Sequence, residues 1–161
     1  MFTITEIIDI AIKIEKNGER AYRNAIEKIP DASLIRLLEW MADEEMSHME
    51  WLFDLKQKVE TNSENPFDQN MPRAMLTEII GDQSFSLKEI DFSRIDNIDD
   101  LIDIFIEFER DGILFYEMLQ SFIQSEETLS QLSQIIAEEK RHIEKLQDLT
   151  KHALAAFPQK S

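Results

Sequence analysis

Apolar residues recur at intervals of three and four along most of this chain, and one internal stretch breaks the pattern. From Ile4 to about Lys28, the residues Ile8, Ala11, Ile12, Ile26 and Ile29 keep to a helical spacing. The opening Thr3-Ile-Thr-Glu6 has the form of a capping box, in which a hydroxyl and a carboxylate satisfy the free amides of a helix start. Pro30 predicts the end of that helix. From about Ala32 to Glu60 the series Leu34, Leu38, Met41, Leu52, Leu55 and Val59 runs down one face of a second helix. Residues 61–97 hold Pro66, Pro72 and Gly81 among mixed polar residues, which predicts a crossover connection with a short helix over 74–80. From about Ile98 to Gln124 the face is Ile102, Phe105, Leu119 and Ile123. After Ser125-Glu-Glu-Thr a fourth run carries Leu132, Ile135, Leu146, Leu149 and Ala153. The predicted class is all-α, a four-helix bundle made of two helix pairs joined by a long crossover, forming a single domain over residues 1–161.

The two pairs repeat each other. A shift of 94 positions carries Glu15, Gly18, Tyr22, Glu45 and His48 onto Glu109, Gly112, Tyr116, Glu139 and His142, with Ile8 on Ile102, Leu38 on Leu132, Leu52 on Leu146 and Leu55 on Leu149. Each half therefore reads Glu-x2-Gly-x3-Tyr and then Glu-x-x-His. A single Glu-x-x-His is a weak signal, since a surface ion pair or a core histidine explains it better than a ligand does. Its repetition, using two of the three histidines in the chain, is a specific one.

These polar residues interrupt the apolar faces instead of lying opposite them. The inward series on the second helix is Leu38, Met41, Glu45, His48, Leu52, and on the fourth Leu132, Ile135, Glu139, His142, Leu146. Glu15 and Glu109 interrupt the other two faces. Carboxylates buried together repel one another and lose hydration unless positive charge compensates them, and no Lys or Arg falls inward at these levels. Two divalent cations supply the countercharge for Glu15, Glu45, Glu109 and Glu139, and two neutral imidazoles, His48 and His142, complete the coordination. Residues three apart on a helix share a face and can serve one ion. Carboxylates bridge and imidazoles terminate. Oxygen donors with one nitrogen per ion suit iron or manganese, and zinc binds such sets too.

The neighbours are read more plainly. Tyr22 and Tyr116 serve either as core aromatics or as hydroxyl donors to the ligand carboxylates. Gly18 and Gly112 provide either room for a ligand or a close helix approach. Glu44, Glu138, Asp43 and Asp111 are read as solvated surface charge. Met41, Met46, Met49, Trp40 and Trp51 are read as core or oligomer packing, and His152 as a surface residue.

Composition sharpens this picture. With 33 Asp plus Glu against 17 Lys plus Arg, the 161-residue chain carries a formal charge of −16, which disfavours nucleic acid and anionic membrane surfaces as partners. A hydrophobic share of 43% fills one core. Three Gly and four Pro leave little punctuation for a many-stranded sheet. The absence of Cys excludes disulfides, thiolate metal sites and a cysteine nucleophile. No leader pattern opens the sequence and no stretch nears the roughly 18 apolar residues of a membrane span, so a soluble, cytoplasmic protein is expected.

The order of Glu15, Glu45/His48, crossover, Glu109 and Glu139/His142 resembles the ferritin-like di-iron carboxylate bundles. The spacing Glu15-Lys-Asn-Gly18-Glu-Arg-Ala-Tyr22 is similar to the rubrerythrin-like branch of that superfamily. The resemblance covers nearly the whole chain apart from the crossover and the tail after about Lys151. It implies a ferritin-like bundle holding two iron ions per chain that react with hydrogen peroxide or oxygen, in a homodimer. On that footing Glu45 and Glu139 bridge the irons, Glu15 and Glu109 are terminal, and Tyr22 and Tyr116 orient carboxylates. Full-length rubrerythrins carry a cysteine-ligated iron domain as electron source. This sequence has no Cys, so an external electron-donor protein is expected. Typical members also have an extra carboxylate one turn after the first Glu of the third helix. Here that position is Gly112, which predicts a more symmetric site. A ferroxidase handling iron, and a metal-free helical interaction module, are the alternative readings.

Overall fold

A hydroxyl and two carboxamide or carboxylate side chains set where the first three helices begin. In this computed structural model, which describes residues 3–61, 67 and 97–156 (the last six by backbone alone), α1 spans Ile4–Ile26. Thr3 Oγ1 accepts from the Glu6 amide at 3.2 Å and Glu6 Oε2 accepts from the Thr3 amide at 2.8 Å, the reciprocal pair expected from the sequence. Helix α2 spans Ala32–Glu60, and Asp31 Oδ1 accepts from the amides of Ser33 and Leu34 at 2.9 and 3.0 Å. Helix α3 spans Ile98–Gln120 behind Asn97, whose Oδ1 accepts from the Asp100 amide at 2.8 Å. Asp99 and Asp100 add negative charge where the helix dipole favours it. Helix α4 spans Glu126–Ala156.

The described residues form these four helices and no strand, with α1 packed chiefly on α2 and α3 on α4. Two apolar clusters fill the interior. One gathers Ile7, Ile8, Ala11, Leu52, Phe115, Leu119 and Leu132, and the other Tyr22, Ala25, Leu34, Leu38, Met41, Ile102, Phe105 and Leu146. Along each helix the inward Glu and His residues fall between the two clusters, so the polar centre lies at mid-bundle with apolar packing above and below it.

Two helix ends differ from expectation. Helix α1 stops at Ile26, because the amides of Lys28 and Ile29 both turn back to the Ala25 carbonyl ahead of Pro30. Helix α3 stops at Gln120 rather than near 124. Ile123, expected on its face, is buried in an isolated antiparallel bridge with Phe67. A partner distant in sequence has overridden the local helical spacing. Apart from Phe67 and its two ends, the predicted crossover over 61–97, with its short helix over 74–80, lies outside the described residues, as do the side chains of His152 and Ala153. No helix among the described residues is long and apolar enough to cross a membrane.

Candidate metal centre

All six side chains predicted as ligands converge at mid-bundle. Glu15, Glu45, His48, Glu109, Glu139 and His142 are each at most 3% exposed, and they are the buried charged or polar side chains among the described residues. No Lys or Arg accompanies them there.

The distances sort the six into two overlapping groups, Glu15/Glu45/His48/Glu139 and Glu45/Glu109/Glu139/His142, each able to offer one atom apiece within 4.8 Å of the others. His48 Nδ1 lies 2.9 Å from Glu139 Oε1, 3.5 Å from Glu15 Oε2 and 3.9 Å from Glu45 Oε2. His142 Nδ1 lies 3.3 Å from Glu109 Oε1, 3.3 Å from Glu139 Oε2 and 3.4 Å from Glu45 Oε1. Glu45 and Glu139 thus turn one oxygen toward each imidazole, while Glu15 and Glu109 each serve one side.

Several of these atoms have no hydrogen-bond partner among the described residues: Glu15 Oε2, Glu45 Oε1, His48 Nδ1 and both oxygens of Glu139. His48 Nδ1 and Glu139 Oε1 approach closely without the alignment of a hydrogen bond. Buried polar atoms left unpaired are costly. A cluster of them aimed at common points, with net negative charge and hard oxygen donors, fits divalent cations.

With protons as the only countercharge, the electrostatics show the same demand. Burial pulls the His48 imidazole down, but Glu139 and Glu15 overcome it and push its pKa up to about 11. Burial likewise opposes the charge on His142, and Glu109, Glu139 and Glu44 raise it to about 12. Burial together with the charges of Glu109 and Glu15 drives Glu139 well above the usual carboxylate range. Burial works on Glu109 in the same direction, yet its interactions with Glu139 and His142 hold it below its ordinary value.

The hydrogen bonds around the centre cross between the halves. The Tyr22 hydroxyl donates to Glu109, and the Tyr116 hydroxyl donates to Glu15. Both tyrosines are also packed core aromatics, Tyr22 edge-on to Phe105 with ring centroids 4.8 Å apart, so their two readings hold together. Burial and the neighbouring carboxylates keep both phenols well above their usual pKa, hence protonated donors.

Two neighbours correct the sequence reading. Glu44 and Glu138 are not free surface charges: Glu44 Oε2 meets His142 Nε2 at 2.5 Å and Glu138 Oε2 meets His48 Nε2 at 2.7 Å. The sign was present in the sequence, since they too are 94 residues apart. Asp43 is exposed and pairs with Arg23 at 2.8 Å. Met41 is buried in the core, whereas Met46 is 42% exposed. The glycines divide. A Cβ on Gly18 would sit 2.9 Å from the Phe108 ring, so Gly18 permits a close approach, while one on Gly112 would meet nothing within 4 Å among the described residues.

The rubrerythrin family model matches residues 6–150, nearly the whole chain. The chain belongs to the rubrerythrin family. Among solved structures, one described as a ferritin-like diiron-carboxylate protein from Thermotoga maritima is similar at 23% identity and a TM-score of 0.68, covering 94% of this chain and 97% of that one. A hypothetical protein from Pyrococcus furiosus is similar at 21% identity and a TM-score of 0.67, covering 99% of this chain and 94% of that one. At such identities these likenesses establish the ferritin-like fold. No curated protein matches the chain. One turn after Glu109 the chain carries a buried glycine, Gly112, with space beside it among the described residues.

Proposed function

We propose that this protein is a di-iron carboxylate oxidoreductase that reduces hydrogen peroxide or oxygen with electrons from an external donor protein. The observation that carries the reading is the way Glu45 and Glu139 each present one oxygen toward His48 and the other toward His142, a placement in which both carboxylates would serve two ions. In this reading Glu15 and His48 would hold one ion and Glu109 and His142 the other. A pair of redox-active ions supplies the two electrons that, with two protons, convert one peroxide into two waters.

The chain's own part is to hold and to screen. Four carboxylates balance two divalent charges. Tyr22 and Tyr116 fix the orientation of Glu109 and Glu15, and the apolar clusters on either side keep bulk water from the centre. Manganese or zinc are substitutes that the same donors accept.

The test is elemental analysis of anaerobically purified protein, followed by peroxide consumption with a reductant present. About two irons per chain and peroxide-dependent oxidation of the reductant are expected, with both lost in Glu45→Ala, and with the activity and about one of the two irons lost in His48→Ala. Sustained turnover of iron(II) to a mineral product would favour iron handling instead. Protein that takes up no metal after iron(II) loading would remove the reading.

A further inference from the structure

Glu44 and Glu138 each precede an inward glutamate, a position about 100° around the helix, at the shoulder of the buried face. Both side chains are 22% exposed, yet each reaches an imidazole on a helix of the opposite half. Glu44 of α2 takes His142 of α4, and Glu138 of α4 takes His48 of α2. In both cases the atom engaged is Nε2, while Nδ1 faces Glu45 and Glu139. A neutral imidazole has one N–H and one lone pair, so a carboxylate that accepts the Nε2 proton leaves the lone pair on Nδ1.

The residue four positions earlier supports each pair. Gln134 Nε2 donates to the second oxygen of Glu138 at 3.2 Å, and the Trp40 ring packs edge-on against the His142 ring with centroids 5.2 Å apart. Trp40 and Gln134 are themselves one repeat apart. Two different side chains at the same register thus hold the same kind of carboxylate–imidazole pair in place.

We propose that Glu44 and Glu138 are positioning residues that fix the Nδ1 lone pairs of His142 and His48 toward the centre, each acting on the half to which it does not belong. The assignment rests on the centre being a metal site and adds a role the ligand set does not contain. Carboxylates hydrogen-bonded to ligating imidazoles set ring orientation and ligand basicity, and their loss typically costs about 10–100-fold in metal affinity.

Zinc is the probe, being diamagnetic and accepted by nitrogen and oxygen donors. The full-length protein and its Glu44→Ala, Glu138→Ala, Glu44→Gln and Glu138→Gln variants are titrated against a chromophoric chelator, and long-range proton–nitrogen NMR reads the ring protons of the zinc-loaded forms. Each Ala variant is expected to lose about 10–100-fold in affinity. The Nε2 proton should exchange rapidly at His142 in Glu44→Ala and at His48 in Glu138→Ala. The Gln variants, whose amide oxygen still accepts the bond, should recover most of the affinity and the slow proton. Ala variants that bind like the wild type, Gln variants as weak as Ala, or loss of the proton on the same helix's histidine would each overturn the proposal. A wild-type chain that binds no zinc would overturn the metal reading itself, a result separable from failure of the variants alone.

Discussion

The two halves of the bundle agree in what faces the centre and differ in what surrounds it. Glu15, Tyr22, Glu44 and His48 make the same bonds across the halves as Glu109, Tyr116, Glu138 and His142 with the partners exchanged. Behind them the halves part. The Phe108 ring closes over Gly18, and Glu45's carboxyl carbon lies 3.7 Å from where a Cβ would be. Phe108's counterpart is Ile14, and no atom of that smaller side chain reaches within 4 Å of the equivalent point at Gly112. Trp40 packs edge-on against a histidine where Gln134 bonds a carboxylate. Chemistry that needs a matched donor set on both sides holds the inner positions alike. Packing needs only filled volume, which different side chains supply.

The strongest way to break this symmetry is through the shared carboxylates. Glu45→Ala or Glu139→Ala removes an oxygen from both sides and should abolish binding of both metal ions, whereas Glu15→Ala or Glu109→Ala should leave about one ion per chain, as read by elemental analysis. Equal losses from all four would show that the shared and unshared carboxylates do not differ.

Next comes pH. With chelator present, folded His48 and His142 keep a proton up to about pH 11 and 12, while unfolded imidazoles release theirs near about 6.5. Glu139, raised by burial, shifts the same way. The folded state therefore binds more protons than the unfolded one above about pH 6.5. That stabilisation is complete below about 6.5 and fades as pH rises toward 11. A bound cation displaces those protons, so above about pH 6.5 the imidazoles are unprotonated in both the metal-loaded and the unfolded states, and the stability of the loaded protein should stay nearly level. Urea midpoints measured from about pH 7 to about pH 10 should fall steadily without metal and stay nearly level with it. Parallel slopes would contradict protons and metal sharing the centre.

Smaller effects probe the halves one at a time. Tyr22→Phe and Tyr116→Phe each leave a buried carboxylate short of a donor and should cost about 1–3 kcal/mol in urea denaturation, with near-equal values because the two bonds are counterparts. The glycines should diverge. At Gly18, overpacking of about 1–3 kcal/mol against Phe108 outweighs the helix-propensity gain, so Gly18→Ala destabilises. Gly112→Ala meets no neighbour among the described residues and should stabilise by up to about 1 kcal/mol. The same sign for both would mean that the space beside Gly112 closes in solution.

The helices and the six ligand candidates were legible because each leaves a periodic trace: spacings of three and four for the faces, the capping box at Thr3 and Glu6, and a 94-residue repeat for Glu15 through His142. Glu44 and Glu138 carried the same repeat but were masked by a sound generalisation, that charges beside a buried face are usually solvated. Only the opposite helix shows what they touch. The early end of α3 and the different settings of Gly18 and Gly112 depend on Phe67 and Phe108, whose contacts lie across the fold and leave no local pattern in the chain.

The crossed bonds have a consequence for how the molecule is divided. Tyr22 to Glu109, Tyr116 to Glu15, Glu44 to His142 and Glu138 to His48 all join one hairpin to the other. Each hairpin carries three of the six candidate ligands but depends on its neighbour to orient them. In this sense the chain is a two-fold dimer written as a single polypeptide, with its candidate metal centre seated on the boundary between the two hairpins. A nick in the segment between the hairpins should leave two fragments that recover the centre only in each other's company.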